Sequence, residues 1–95
     1  MRIAEVIGTV TLSRWHPSVE GFRWVIGVPF SLKALKTGKP DGEDFVMVDQ
    51  LGAGLGQNVG VSEGVEAMMP FQPERKPIDA YAACILDQVV ITAHK

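Results

Sequence analysis

The sequence predicts a mainly β fold, a small five-stranded barrel with one short helix, formed as a single domain over residues 1–95. Ten glycines and six prolines cut the chain into short apolar segments. Most of those segments favour β-branched residues over a long helical period. One of them, Phe22 to Phe30, alternates sharply, as a strand with one apolar face must.

The first segment runs from Ile3 to Leu12. Successive side chains of a strand point to opposite sides, so Ala4, Val6, Gly8, Val10 and Leu12 share one face. Glu5, Thr9 and Thr11 lie on the other with Ile3 and Ile7. After the loop Trp15–Gly21, the second strand places Phe22, Trp24, Ile26, Val28 and Phe30 on a common face expected to look into the core. A polar, turn-rich stretch from Lys36 to Glu43 leads to a third strand over Phe45–Asp49. The region from Phe30 to Asp44 is expected to be variable.

The fourth strand is expected at Asn58–Ser62, after the glycine-rich loop Gly52–Gly56. Gly64–Met69 then carries helix-forming residues that stop at Pro70, with room for one or two turns, and Phe71–Pro77 reads as an exposed connection. The last segment, Ile78 to Ile91, is ambiguous. Ile78, Ala82, Ile85, Leu86 and Val89 fit a helix face, while Ala80–Leu86 also fits a strand buried on both sides, and periodicity does not separate the two. Five short strands with one small helix most economically form a barrel of the OB type.

A chain of this length buries only roughly 60–65% of the surface its unfolded form exposes, so further burial through oligomerisation is expected. Nine basic residues against 11 acidic ones give a net charge of −2 with no cluster of either sign. That argues against a nucleic-acid binder, which neutralises phosphates with grouped Lys and Arg. No apolar run approaches the ~20 residues that cross a bilayer. The first residues, Met1-Arg2-Ile3-Ala4-Glu5, carry charges and no small-residue cleavage site, unlike a signal peptide. The lone Cys84 excludes an internal disulfide and a CxxC pair. These features fit a cytoplasmic protein without a membrane partner.

The most distinctive stretch is Asp49-Gln50-Leu51-Gly52-Ala53-Gly54-Leu55-Gly56-Gln57-Asn58-Val59. Glycine-rich loops cradle phosphates when they read GxxxxGK[ST], or GxGxxG at the head of a long helix. This one reads GxGxG, no lysine follows, and the next segment is β-like. A tight turn between two strands is the simpler account of the glycines alone.

The wider pattern, with Asp49, Gly52, Ala53, Gly54, Gly56, Gln57 and Val59 in place, resembles the signature of the EutN/CcmL family of bacterial microcompartment vertex proteins. Ile7-Gly8-Thr9-Val10-Thr11-Leu12-Ser13 is similar to the family's first strand. Gly21-Phe22-Arg23 with the apolar run after it is similar to its Gly-x-[Lys/Arg] second strand. Pro77-Ile78-Asp79 and Ile85-Leu86-Asp87-Gln88-Val89 are similar to its Pro-x-Asp … Ile-x-Asp-x-Val ending. Gln57 stands where the family usually has Glu, and Val65-Glu66-Ala67-Met68 replaces a common Ala-Arg pair, so no arginine role is carried over.

The resemblance implies a structural protein rather than an enzyme. Its carboxysome-like role would be to form a homopentamer that closes the vertices of a polyhedral shell and docks against hexameric shell tiles. An interface whose rotation closes after five copies makes a ring rather than a filament. Asp49, Gly52, Ala53, Gly54, Gly56 and Gln57 are then expected at the subunit interface or around the axis. The rival from another class is a monomeric OB-type module for single-stranded nucleic acid or a small ligand, with Trp15, Trp24 and Phe22 as a stacking platform.

The remaining candidates read as structural. His16 sits in a loop and His94 in the tail, and neither has neighbours at metal-ligand spacing. Cys84, among Ala82, Ala83, Ile85 and Leu86, reads as a small core hydrophobe. Asp49, Asp79 and Asp87 suit turn capping better than acid chemistry. Trp15 is an interface anchor or a lid on the barrel. No catalytic residue, metal site or cofactor is expected.

Overall fold

The computed structural model describes residues 1–92, so His94 lies outside the described residues. Strands β1 (Arg2–Val10), β2 (Trp24–Pro29), β3 (Phe45–Val48), β4 (Asn58–Glu63) and β5 (Ala80–Leu86) close into a barrel in the order β1-β2-β3-β5-β4. All neighbours are antiparallel except β3 and β5, which run parallel and share a single bridge, Val48 with Tyr81. The ambiguous C-terminal segment is therefore a strand over Ala80–Leu86.

The barrel interior is narrow and lined by alanines and valines around one larger side chain, Met47: Ala4, Val6, Val25, Val59, Val61, Ala80 and Ala82. Gly27 belongs to this lining, since a Cβ there would collide with Met47. Two expectations about strand faces are corrected here. In β1 the register passes from Val6 opposite Gly27 to Gly8 opposite Ile26, leaving Ile7 as an extra residue. Such a bulge reverses the alternation. Ala4 and Val6 look inward, but Gly8 and Val10 lie on the outer side with Trp24 and Ile26.

In β2 the buried residues are Val25, Gly27 and Pro29, while Trp24, Ile26 and Val28 are half-buried on the outer face. The bulky apolar face was expected inside, yet a barrel this narrow admits only the smaller set. Phe22 and Trp24 serve a second apolar layer outside the barrel. Val19, Val48, Ala67 and Ile78 are buried there, with Phe22, Trp24, Met68, Phe71 and Tyr81 packed around them. Phe71 stacks on Phe22 at 5.2 Å and meets Tyr81 edge-on at 5.5 Å. Lys76 closes the layer: its Nζ donates to the Ser18 carbonyl at 2.8 Å and lies 5.9 Å from the Phe22 ring centroid. Within Phe71–Pro77, residues Gln72–Arg75 are exposed as expected, whereas Phe71 and Lys76 are anchored.

The helical turns expected over Gly64–Met69 are present, in 3-10 form. Gly64–Phe71 is a 3-10 segment that runs through Pro70. The α-helix is α1, Leu32–Thr37, in the stretch expected to be turn and loop. Its ends carry ordinary helix signals. The Ser31 hydroxyl accepts the Ala34 N–H at 3.1 Å, and Gly38 closes the far end with φ 81°. Six residues give too little periodicity to detect. Cys84 is half-buried on the outer side of β5, opposite Gly60, and does not join the barrel core.

Candidate functional site

The Asp49–Gln57 loop is built from its two ends. Trp24 pairs with Val48, so the next residues outward, Arg23 and Asp49, also meet, and the Asp49 N–H donates to the Arg23 carbonyl at 2.9 Å. The Asp49 carboxylate is buried and receives three donors. The Leu51 N–H approaches at 3.0 Å, the Ala53 N–H at 2.8 Å, and the Arg23 guanidinium forms an ion pair. A buried charge is stable only when paired and hydrogen-bonded in this way.

This geometry folds the first half of the loop over Asp49 and carries Ala53 into the barrel core. Between the bonded amides, Gly52 turns the chain with φ 79°, and Gly56 does the same at the far end with φ 82°. An L-residue rarely adopts that conformation. Neither glycine has an atom of the same chain within 4 Å of a would-be Cβ. Within one subunit their conformation demands glycine, and the space around them does not.

The second half is closed by Gln57. Its Oε1 accepts the Gly54 N–H at 2.7 Å, and its N–H donates to the Gly54 carbonyl at 3.1 Å. The loop then joins β1 at its bulge: the Gly56 N–H donates to the Val6 carbonyl at 2.8 Å, and the Val6 N–H to the Gln57 carbonyl at 2.9 Å. A carbonyl-type oxygen is all that Gly54 requires, so the neutral amide fulfils the capping role that a carboxylate would.

All six loop residues singled out in the sequence thus belong to one unit. Sequence reasoning missed Arg23 as its partner. The only signal was its place in the Gly-x-[Lys/Arg] block, because a separation of 26 residues shows no pairing until the β2–β3 register is known. Gln50 adds a further tie, accepting the Tyr81 hydroxyl at 2.8 Å.

With three donors on its carboxylate, Asp49 is a structural hub of the loop. Asp79 acts through its backbone carbonyl, which accepts the Gly64 N–H at 2.8 Å. His16 is exposed and caps a turn, its Nδ1 accepting the Ser18 N–H at 3.1 Å. Among the described residues no group of three or more His, Cys, Asp or Glu side chains gathers as metal ligands would.

Trp15 is half-exposed and borders an open surface cleft with Val10, Leu12, Phe22 and Trp24. Around the barrel Ile7, Val46, Leu51, Leu55 and Val65 also stand exposed. The surface thus carries many large apolar side chains.

The sequence matches the family described as ethanolamine utilisation protein EutN/carboxysome over residues 1–87. The chain belongs to the EutN/CcmL family.

Among other EutN/CcmL proteins, the carboxysome shell vertex protein CcmL of Synechococcus elongatus is 35% identical over 89 residues, covering 94% of this chain and 86% of the relative. The shell vertex protein GrpN of Rhodospirillum rubrum is 34% identical, covering 94% and 96%. The solved structure of that GrpN, a pentameric microcompartment shell protein, aligns with a TM-score of 0.82 at 32% identity over 97% of this chain and all of its own. CcmL of Gloeobacter violaceus aligns with a TM-score of 0.79 at 31% identity over 96% and 90%.

Proposed function

We propose that this chain is a structural shell protein of a bacterial microcompartment, five copies of which form the ring that caps a vertex of the polyhedral shell. The observation that carries the reading is near full-length similarity to proteins named as shell vertex proteins, one of them solved as a pentamer. The surface is consistent with it. Large apolar side chains at the barrel exterior are what a subunit presents to its neighbours, and a chain this small gains burial by assembling. Flat hexameric tiles do not close a polyhedron by themselves, and the ring's rim would dock against them. The protein is a shell component with no catalytic role.

The loop residues Gly52, Gly54, Gly56 and Gln57 are proposed to face the neighbouring subunit or the ring axis, with Asp49 and Ala53, buried within the chain, holding the loop in shape behind them. Leu51 and Leu55 stand exposed on this loop and supply apolar area for the contact. Gly54 is the cleanest probe. Its φ is not positive, and a Cβ there would meet only the Gln57 Oε1 at 3.6 Å. Gly54→Val is expected to leave a folded barrel that no longer runs as a five-chain particle in native mass spectrometry. Unchanged pentamers would remove this loop from the interface.

A further inference from the structure

The barrel closes through a single β3–β5 bridge at Tyr81, so among the described residues Ala82 to Leu86 of β5 are paired with β4 on one side and with no strand on the other. This open edge is five residues long, and Ile85 and Ala83 are exposed along it. Unpaired edges with apolar side chains recruit further strands unless something covers them. Beyond β5 the chain continues as an arm, Gln88-Val89-Val90-Ile91-Thr92. Its centre is three consecutive β-branched apolar residues, and Val90 is 73% exposed. Among the described residues, no backbone hydrogen bond involves residues 87–92. The arm does not return along its own β5. It borders α1 across an open cleft, opposite Leu32 and Leu35.

We infer that the arm of one subunit adds as a strand to the open β5 edge of the next copy in the ring. Arm and edge match in length, each about 17 Å at ~3.4 Å per residue. Each also lacks the hydrogen-bonding partner that the other provides. Main-chain bonds give such strand addition its affinity, and alternate side chains give it register. Because arm and edge are different surfaces of one chain, the contact is head-to-tail, as a closed ring requires. The inference rests on the pentameric reading and names one of the contacts that hold the ring.

Hydrogen exchange on the full-length assembled protein reads the edge directly. The amides of Ala82–Leu86 that point away from β4 are expected to be protected in the wild type. In Val90→Pro, which removes an amide donor, and Val90→Asp, which charges the apolar stretch, they are expected to exchange about tenfold faster or more. Half-assembly of the ring should require about tenfold more protein in the same variants. An edge that exchanges freely in the wild-type pentamer would leave it for another shell protein and overturn the inference. Variants that assemble as the wild type does, with unchanged exchange, would overturn it as well. Both results leave the pentamer standing, whereas a monomeric wild type strikes at the pentamer itself.

Discussion

Two aspartates organise two loops in opposite surroundings. Asp49 is buried, and its carboxylate holds two backbone amides and the guanidinium of Arg23, the residue just before β2. Asp41 is exposed and holds one residue, Ser31, by its N–H at 3.0 Å and its hydroxyl at 2.7 Å, which fixes the start of α1. Both capture backbone with a short carboxylate, a job for which Asp is suited. The difference is what happens when the carboxylate is lost. Water can replace Asp41, whereas the Ala53 amide that Asp49 satisfies is buried.

The largest expected effect follows from that contrast. Asp49→Ala strands the buried Ala53 amide, removes the acceptor of the Leu51 N–H and leaves the half-exposed Arg23 without its partner, costing about 1–3 kcal/mol of stability. Urea denaturation would check it. A loss close to zero would mean that the loop holds its shape without Asp49, and that the comparison with Asp41 has no energetic content.

At the other end of the same loop the change should be small. Gln57→Ala removes the acceptor of the Gly54 N–H and should cost about 1 kcal/mol. Gln57→Glu keeps an oxygen in place and should fall within about 0.5 kcal/mol of the wild type. Thermal unfolding of the two variants separates the roles of acceptor and charge. A Glu variant as unstable as the Ala variant would show that the neutral amide matters beyond its oxygen.

The smallest effect concerns Asp41. The Ser31 hydroxyl, then the Ser31 N–H, and more weakly the nearby Lys33, hold its carboxyl below the ordinary value of 3.8. A carboxyl depressed in the folded state stabilises it above the unfolded value and loses that contribution as pH falls through the folded one. The dependence is therefore confined to acid conditions below about 3.8. Ser31→Ala should raise the Asp41 pKa in an NMR titration, and an unmoved titration would contradict the cap.

The barrel and the loop were legible in the sequence for different reasons. Four of the strands are bounded by turn residues and rich in β-branched side chains, and the loop is dense in glycine. The strand faces were harder. Ile7 reverses β1 through a bulge that no pattern announces, and in β2 the bulky row Trp24, Ile26, Val28 lies outside because the interior has room only for Val25, Gly27 and Pro29. A hydrophobic period tells that a strand has two faces, and not which one a narrow barrel accepts. Helix α1 is too short for periodicity, although Ser31 and Gly38 mark its ends. Arg23 escaped notice because its tie to Asp49 exists only through the register that brings Trp24 opposite Val48.

The exposed loop leucines and the open edge of β5 are the surfaces proposed to meet neighbouring copies. Native mass spectrometry of the purified full-length protein tests that account most directly. Five chains per particle is the predicted result, and a monomer that persists at high protein concentration would contradict it.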